Sequence, residues 1–132
     1  MAMVNRTTVR VRYADTDQAG VVYYGRYAEW MEIGRTEWLR QAGRPYPQVE
    51  AEGLHLPVLE LHVIYRVAAR YDMLVEIETR CSAPRKTRLR FDYVIREADT
   101  DTVLAEGHTL HAFVDDANKP TRPPAWARTL GE

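Results

Sequence analysis

The sequence has almost no cysteine or serine: Cys81 and Ser82 are the single residues of each kind among 132. One cysteine cannot form an intramolecular disulfide, and Cys81 alternates with apolar residues, which favours a buried strand position over a nucleophile. The lone serine has no G-x-S-x-G motif around it, and the chain is short for an α/β-hydrolase. We therefore exclude a serine esterase of that kind.

Long apolar runs and an excess of either charge are also missing. No segment approaches the roughly 20 apolar residues that cross a bilayer, and residues 1–18 lack the apolar stretch of a signal peptide. Eighteen Lys and Arg residues balance nineteen Asp and Glu residues, for a formal net charge of −1. Such a balance does not favour nucleic acid as a partner. We expect no membrane span, no nucleic-acid binding and a cytoplasmic location.

The four histidines do not suggest a metal centre. His108 and His111 are three residues apart in a segment with strand periodicity, so their side chains are expected on opposite faces. His55 and His62 are seven apart and would also point oppositely on one extended strand, about 23 Å from each other at ~3.3 Å per residue. We expect no bound metal ion.

Hydrophobic periodicity predicts one strand, one long helix and then four strands. A period of two indicates a first strand over 7–14, and apolar residues at helical spacing predict a helix over 26–42. Gly43 suits the left-handed position after that helix, and Pro45 and Pro47 prevent its continuation. The period of two then returns in four segments, 59–67, 73–81, 89–95 and 102–114, with a polar turn at 97–101.

These elements fit a single α+β domain spanning 1–132, with a core over about 5–117 and a Pro-rich C-terminal tail over 118–132. Short turns between the later strands favour an antiparallel five-stranded sheet wrapped around the helix. One helix cannot cover both faces of such a sheet. We therefore expect the chain to form a dimer.

Two carboxylates, Asp15 and Asp17, lie in the loop between the first strand and the helix, ahead of Tyr23 and Tyr24. A loop that enters a helix places unpaired backbone N–H groups and the positive end of the helix dipole beside its side chains. A carboxylate that faces a carbonyl polarised by such donors can attack it or activate water. The same aspartates also suit simple Asx turns, and spacing alone leaves both interpretations open.

The run PRKTR at 84–88 places Arg85, Lys86 and Arg88 together between two predicted strands. Solvated charges in a hairpin turn explain this run. A phosphate site explains it equally well, because Arg offers bidentate hydrogen bonds and Lys a point charge. Both interpretations stay open on the residues alone.

The segment 9–43, VRVRYADTDQAGVVYYGRYAEWMEIGRTEWLRQAG, resembles the opening strand, loop and helix of the 4-hydroxybenzoyl-CoA thioesterase family. It is most similar to the acyl-CoA thioesterase branch associated with the bacterial Tol-Pal system. Weaker similarity extends to about residue 117. Members of that branch often carry His where this chain has Gly25. The family pattern Asp-x-Asp-x-x-Gly-x-Val-x-Tyr corresponds to Asp15, Asp17, Gly20, Val22 and Tyr24.

This resemblance implies a hotdog fold with a long central helix, active sites at the interface of a homodimer, and further pairing into a homotetramer. It implies hydrolysis of acyl-CoA to a carboxylic acid and coenzyme A, with Asp17 as nucleophile or general base and the Tyr24 backbone N–H polarising the thioester carbonyl. Asp15 would then stabilise the loop. No cofactor is expected beyond the coenzyme A that the substrate carries. The remaining substrate contacts implied are Tyr23, Gly25, Arg85, Lys86, Thr87 and Arg88.

Two other functions are weighed against thioester hydrolysis. A hotdog dehydratase acts on 3-hydroxyacyl thioesters, but the loop lacks the histidine that such proton transfer commonly uses. A non-catalytic hotdog module would bind an acyl thioester or an acyl carrier protein without cleaving it. The sequence leaves open the acyl group, and also whether coenzyme A or an acyl carrier protein carries it.

Overall fold

The computed structural model describes residues 3–85 and 87–130. All neighbouring strands are antiparallel, in the order β1-β3-β4-β5-β2, which confirms the predicted α+β class and the antiparallel five-stranded sheet. The strands are β1 Val4–Arg10, β2 Val58–Tyr65, β3 Leu74–Arg85, β4 Arg88–Glu97 and β5 Val103–Ala112, and the helices are α1 Arg26–Gln41, α2 Tyr46–Ala51 and α3 Ala125–Arg128.

Helix α1 has 16 residues and packs on β1, β3 and β4. Its buried face is the one that the spacing predicts: Tyr27, Trp30, Met31, Gly34, Trp38 and Leu39. Gly34 permits the close approach to β3, because a Cβ there would lie 2.8 Å from Ile77 Cγ2 and closer still to Thr79 Oγ1. Gly43 has φ +79°, so the predicted left-handed residue after the helix is confirmed.

The inner face of the sheet comes from alternate residues of three strands. Alternation in β3 and β4 is confirmed, since their inward side chains are almost fully buried while their neighbours are less so, except for Glu78, which is buried among Arg6, Arg80 and Arg96. Cys81 is buried on this face, and desolvation raises the pKa of its thiol far above the usual range, as expected of an inert strand cysteine. The buried side chains of β3, β4 and β5 on this face include Val75, Ile77, Thr79, Leu89, Phe91, Tyr93, Ile95, Thr109 and His111.

The first predicted strand, 7–14, is wrong at both ends. Strand β1 begins at Val4 and ends at Arg10, and Tyr13–Asp15 form a turn of 3-10 helix that leaves Tyr13 78% exposed. The reason is local: the Asp15 carboxylate accepts a hydrogen bond from the Arg12 backbone N–H, and the Asp15 N–H donates to the Arg12 carbonyl. These contacts compete with strand pairing.

The sequence also gave no expectation of α2. Pro45 and Pro47 end α1, as predicted, but they also begin a new helix: Pro45 is the residue before the first turn, and Pro47 lies within it. Proline is tolerated in a first helical turn because the N–H it lacks has no partner there.

Strand β2 is an edge strand that a single protomer leaves open on both faces. Its one neighbour among the described strands is β5, and Leu59, Leu61 and Tyr65 are 47%, 47% and 45% exposed. Within residues 3–85 and 87–130, the apolar face that the period of two predicts is covered only in part, by the core against Val63 and by Tyr24 and Tyr27 against the Tyr65 ring. The long exposed apolar edge favours pairing with another strand.

Candidate active site

Asp15 holds the loop between β1 and α1 in place. Its side chain is buried, its Oδ2 accepts the Arg12 N–H at 2.8 Å, and its Oδ1 lies 3.1 Å from Arg12 Nη2 and 3.6 Å from Arg26 Nε. Burial raises the pKa of the carboxyl, but the hydrogen bonds and charge of Arg12, with Arg26 behind them, outweigh it and hold the pKa below its usual value. Asp15 is thus committed to structural contacts.

Asp17 is exposed and only partly engaged. Its Oδ1 accepts the Ala19 N–H at 2.8 Å, an Asx turn, and its carbonyl accepts the Gly20 N–H at 3.0 Å, where Gly20 has φ +81°. The second carboxylate oxygen, Oδ2, takes part in none of the hydrogen bonds within 3–85 and 87–130. The turn therefore fixes one oxygen and leaves the other open to solvent.

The start of α1 offers unpaired backbone donors. Neither Tyr24 nor Gly25 donates its N–H to an acceptor in the described part of the chain, whereas the flanking N–H of Tyr23 bonds the Asp15 carbonyl at 2.9 Å. The first N–H groups of a helix lack internal partners and carry the positive end of its dipole. Two adjacent donors of this kind can polarise a carbonyl or hold an oxyanion.

Aromatic rings surround this helix start. The side chains of Tyr23 and Tyr24 are 56% and 64% exposed. Gly25, at the residue before the first turn, leaves room for the Tyr23 ring, because a Cβ there would lie 2.7 Å from Tyr23 Cε2. A histidine at this position, as in the branch that the sequence resembles, would displace the Tyr23 ring.

Tyr65 was not singled out by sequence. Its hydroxyl donates to the Tyr24 carbonyl at 3.2 Å, and its ring centroid lies 5.0 Å from those of Tyr24 and Tyr27. Desolvation raises the pKa of the Tyr65 hydroxyl, with the neighbouring tyrosines adding to the shift. No sequence signal marks this contact, because it joins the end of β2 to a helix start 41 residues away.

The predicted phosphate-binding turn lies between β3 and β4. Arg85 and Arg88 face each other in the strand register, Thr87 is exposed between them, and Lys86 lies outside the described residues. Arg85, Arg88 and Arg90 line an open cavity of about 450 Å³ together with His108. Glu60 also lines this cavity, and Arg90 already pairs with Asp92 at 3.1 Å. Arg85 and Arg88 are therefore the guanidinium groups that suit a phosphate-rich ligand there.

One protomer does not bring the loop and this turn together. Arg88 pairs with Ala112, whose N–H donates to the Pro57 carbonyl, so the turn lies at the Val58 end of β2. Tyr24 is bonded to Tyr65, at the other end of the same strand. Seven residues of strand separate these ends by about 23 Å.

The histidines and helices of the described residues are the features that could form a metal site and a membrane span. His108 and His111 do lie on opposite faces: His111 is buried beneath α1, and His108 stacks on His62 at 5.4 Å. Within 3–85 and 87–130 no group of three or more His, Cys, Asp or Glu residues is arranged to hold a metal ion. No helix in that part of the chain is long and apolar enough to span a membrane.

Comparison with known sequences identifies close relatives. The profile of the thioesterase-like superfamily matches residues 11–130. The acyl-CoA thioester hydrolase YbgC of Escherichia coli O6:H1 is 38% identical over 110 residues, which is 83% of this chain and 81% of that protein. The putative acyl-CoA thioesterase YneP of Bacillus subtilis is 36% identical over 76 residues, 58% of this chain and 55% of that protein.

Comparison with solved structures agrees. The hypothetical protein TT1821 from Thermus thermophilus superposes with a TM-score of 0.87 and 37% identity, covering 96% of this chain and 93% of that one. The likeness extends over the whole domain, loop and sheet alike.

Proposed function

The chain belongs to the thioesterase-like superfamily and has its hotdog fold, and on that basis we propose that it is an acyl-CoA thioesterase that releases a carboxylic acid and coenzyme A. Asp17 is its catalytic carboxylate in this proposal. The observation that carries the proposal is that one loop holds both a solvent-exposed Asp17 carboxylate and two unpaired N–H groups, of Tyr24 and Gly25, at the start of α1. The relatives named acyl-CoA thioester hydrolases support the reaction class.

Each component has a defined chemical task. The Tyr24 N–H, with that of Gly25 beside it, donates a hydrogen bond to the thioester carbonyl oxygen and stabilises the negative charge that develops on it. As a nucleophile, Asp17 bonds to the carbonyl carbon, the C–S bond breaks, and coenzyme A leaves as a thiolate that takes a proton from water; hydrolysis of the anhydride releases the acid. As a general base, Asp17 instead takes a proton from the water that attacks.

Within the superfamily we place the chain in the 4-hydroxybenzoyl-CoA thioesterase family, near the branch associated with the Tol-Pal system. The Asp15 to Tyr24 loop and the 38% identity to YbgC support this placement. Gly25, where that branch often has His, removes one auxiliary imidazole, so we expect the preferred acyl group to differ from that of the branch.

The active form in this proposal is a homodimer joined through β2, pairing further into a homotetramer. The β2 edge is unpaired within the described chain and its apolar side chains are about half exposed. Antiparallel pairing of two β2 strands sets the Tyr65 end of one against the Val58 end of the other. The partner's Arg85 and Arg88 then lie at the same end as Asp17, where they can hold the phosphates of coenzyme A.

Thiol release from a panel of acyl-CoAs tests the proposal. We expect Asp17→Asn to lose nearly all activity, by a factor of 10² or more, as removal of a nucleophile or base does. Asp99→Asn, an exposed carboxylate in the turn after β4, is the matched control and should retain activity. Full activity in Asp17→Asn would refute the assignment.

A second measurement separates the two mechanisms. Single turnover in ¹⁸O-labelled water leaves the label in the Asp17 carboxylate if an anhydride forms and is hydrolysed at Asp17. Direct water attack leaves the label in the released acid alone, so label in Asp17 is the result that identifies the nucleophilic route. Binding of acyl-CoA without thiol release at every chain length would instead favour a non-catalytic module.

A further inference from the structure

A second cavity, separate from the loop of Asp17, lies between α1, α2, β4 and β5. Its volume is about 130 Å³. Its apolar walls are Leu39, Leu56 and Phe91, and its polar walls include Arg35, Thr36 and His111. Neither the proposed mechanism nor the coenzyme A site uses any of these side chains.

Arg35 brings a positive charge to this cavity without a counter-charge. None of the ion pairs within residues 3–85 and 87–130 includes Arg35, and its Nη1 is buried without a hydrogen-bond partner there. The half-buried Arg26 and Arg96, in contrast, both contact carboxylates. Glu32, at the cavity rim, is exposed and not within 4.0 Å of Arg35. An unpaired cation in such a place is costly unless an anion joins it.

The other polar groups cannot supply that anion, because they form a neutral hydrogen-bonded chain. His111 is buried, and desolvation lowers the pKa of its imidazole to about 4, so the ring is neutral at pH 7. Its Nδ1 lies 2.9 Å from the Leu56 carbonyl, which only accepts, so Nδ1 carries the proton. Nε2 then accepts from the Thr109 hydroxyl at 2.8 Å.

The same donor and acceptor assignment determines the direction of the hydrogen bond between Tyr93 and Thr109. Since Thr109 gives its proton to His111, the Tyr93 hydroxyl must donate to Thr109 Oγ1 at 2.7 Å. The guanidinium of Arg35 lies beside Tyr93; burial raises the pKa of the tyrosine hydroxyl, and Arg35 opposes that shift. Every member of the chain is thus neutral with its proton committed. This hydrogen-bonded chain therefore provides no negative charge to pair with Arg35.

We propose that this cavity is a binding subsite for a small organic carboxylate, which pairs with Arg35 while its carbon skeleton packs on Leu39, Leu56 and Phe91. A planar guanidinium fork matches a carboxylate with two parallel hydrogen bonds. An apolar cavity of about 150 Å³ accommodates benzene, so this cavity of about 130 Å³ takes a carbon skeleton of at most about that size. The ligand is therefore a carboxylic acid of about benzene size or a short chain.

Two sources supply this chemistry: the far end of an acyl group that itself ends in a carboxylate, or a free acid. Arg35 lies nine residues beyond Arg26, about 14 Å along the helix axis at 1.5 Å per residue. That spacing suits the distal end of an acyl chain whose thioester lies at Tyr24. This first source rests on the proposed function, whereas the free acid does not.

Calorimetric titration of the full chain with benzoate and with benzamide, its neutral counterpart, tests the subsite directly. We expect benzoate to bind at least tenfold more tightly, and Arg35→Met to abolish this preference while Arg40→Met, an exposed arginine on the same helix, retains it. Leu56→Phe, which fills the cavity but keeps Arg35, should abolish benzoate binding even where Arg35→Met does not fold. Equal binding of both probes, or a preference that survives in Arg35→Met, would overturn the proposal.

Kinetics then identify the source. If the acyl group supplies the carboxylate, kcat/KM for dodecanedioyl-CoA, whose extended chain matches this span, exceeds that for lauroyl-CoA by about tenfold, and Arg35→Met reverses the order. If a free acid is the ligand, the two substrates are cleaved alike in wild type and Arg35→Met, and benzoate still binds. Should no acyl-CoA be cleaved at all, the thioesterase proposal fails while the titration still decides the subsite.

Discussion

The Tyr65 hydroxyl donates a hydrogen bond to the backbone carbonyl of Tyr24, 3.2 Å away. This contact ties the last residue of the β2 edge strand to the peptide unit that enters α1, and that same unit carries the Gly25 N–H. The orientation of the Gly25 donor thus depends on a side chain from the strand that we expect to form the dimer interface. Tyr65 is a positioning residue in this arrangement, because it acts through the backbone.

Removing this hydroxyl alone should slow the reaction without weakening substrate binding. In Tyr65→Phe the ring contacts with Tyr24 and Tyr27 remain, so we expect kcat to fall about two- to tenfold, the worth of one neutral hydrogen bond, with KM little changed. Tyr71→Phe, at an exposed tyrosine whose ring lies edge-on to that of Tyr13, is the control. A raised KM at unchanged kcat would contradict the positioning role.

Charge on the β2 edge should prevent dimerisation. Leu61→Lys places an ammonium group on the exposed apolar face of the edge strand, where charged residues oppose strand pairing. Sedimentation equilibrium should then give the 15.3 kDa of one chain, where the unmodified protein gives at least twice that mass. Thiol release should be lost in parallel. The control is Tyr13→Lys, at an exposed residue outside the strand, which should change neither the mass nor the rate of thiol release.

Charge reversal in the β3–β4 turn should affect coenzyme A and spare the thioester. We expect the double variant Arg85→Glu, Arg88→Glu to raise KM for an acyl-CoA about tenfold, because two cations that face phosphate become anions. The N-acetylcysteamine thioester of the same acid has no phosphate, so its kcat/KM should stay within about twofold. Arg122→Glu provides an exposed control in the tail. Equal losses on both substrates would exclude phosphate binding at this turn.

Stability should fall between pH 6.5 and pH 4 because of His111. The pKa of its imidazole is about 4 in the folded chain and near 6.5 when unfolded, so only the unfolded chain takes up the proton in this window. Folding loses roughly 3 kcal/mol across it, at 1.36 kcal/mol per pKa unit. Urea midpoints measured from pH 7 to pH 4.5 check this expectation.

The matched variant is His111→Gln, which keeps a donor for Leu56 and an acceptor for Thr109 but does not titrate. Its urea midpoint should vary less with pH than that of the unmodified chain. The remaining slope includes His108, whose pKa is also lowered, chiefly by desolvation. Identical slopes in the two proteins would show that His111 is not the cause.

Period and spacing were enough to predict α1, the three inner strands and the antiparallel sheet, because buried faces impose their repeat on the residues that fill them. The same repeat in β2 correctly predicted two faces, but it carries no information about what covers them. The end of β1 could not be read from periodicity, since Val9, Val11 and Tyr13 continue the alternation while Asp15 bends the backbone with a local hydrogen bond.

The residues of the candidate site likewise divide into those that the sequence indicated and those that only the structure reveals. The family resemblance singled out Asp17 and the helix start from a local motif whose parts are adjacent in sequence, and the catalytic role of Asp17 stays a prediction. Tyr65 and Arg35 were not singled out in this way, because their roles depend on contacts between elements that only the register and the packing of the sheet define. Thr109 and His111 alternate inward in β5, so their burial was accessible from the pattern, but their link to Arg35 was not.

The Tyr65 and Val58 ends of β2 lie about 23 Å apart, and this separation predicts complementation between variants of the chain. If each active site draws Asp17 from one protomer and Arg85 and Arg88 from the other, two defective chains can repair one another. Mixed dimers of Asp17→Asn with the Arg85→Glu, Arg88→Glu chain contain one site with both defects and one with neither. Random reassembly of equal amounts makes half of the dimers mixed and restores about a quarter of the wild-type activity, whereas a site built within one protomer would restore none.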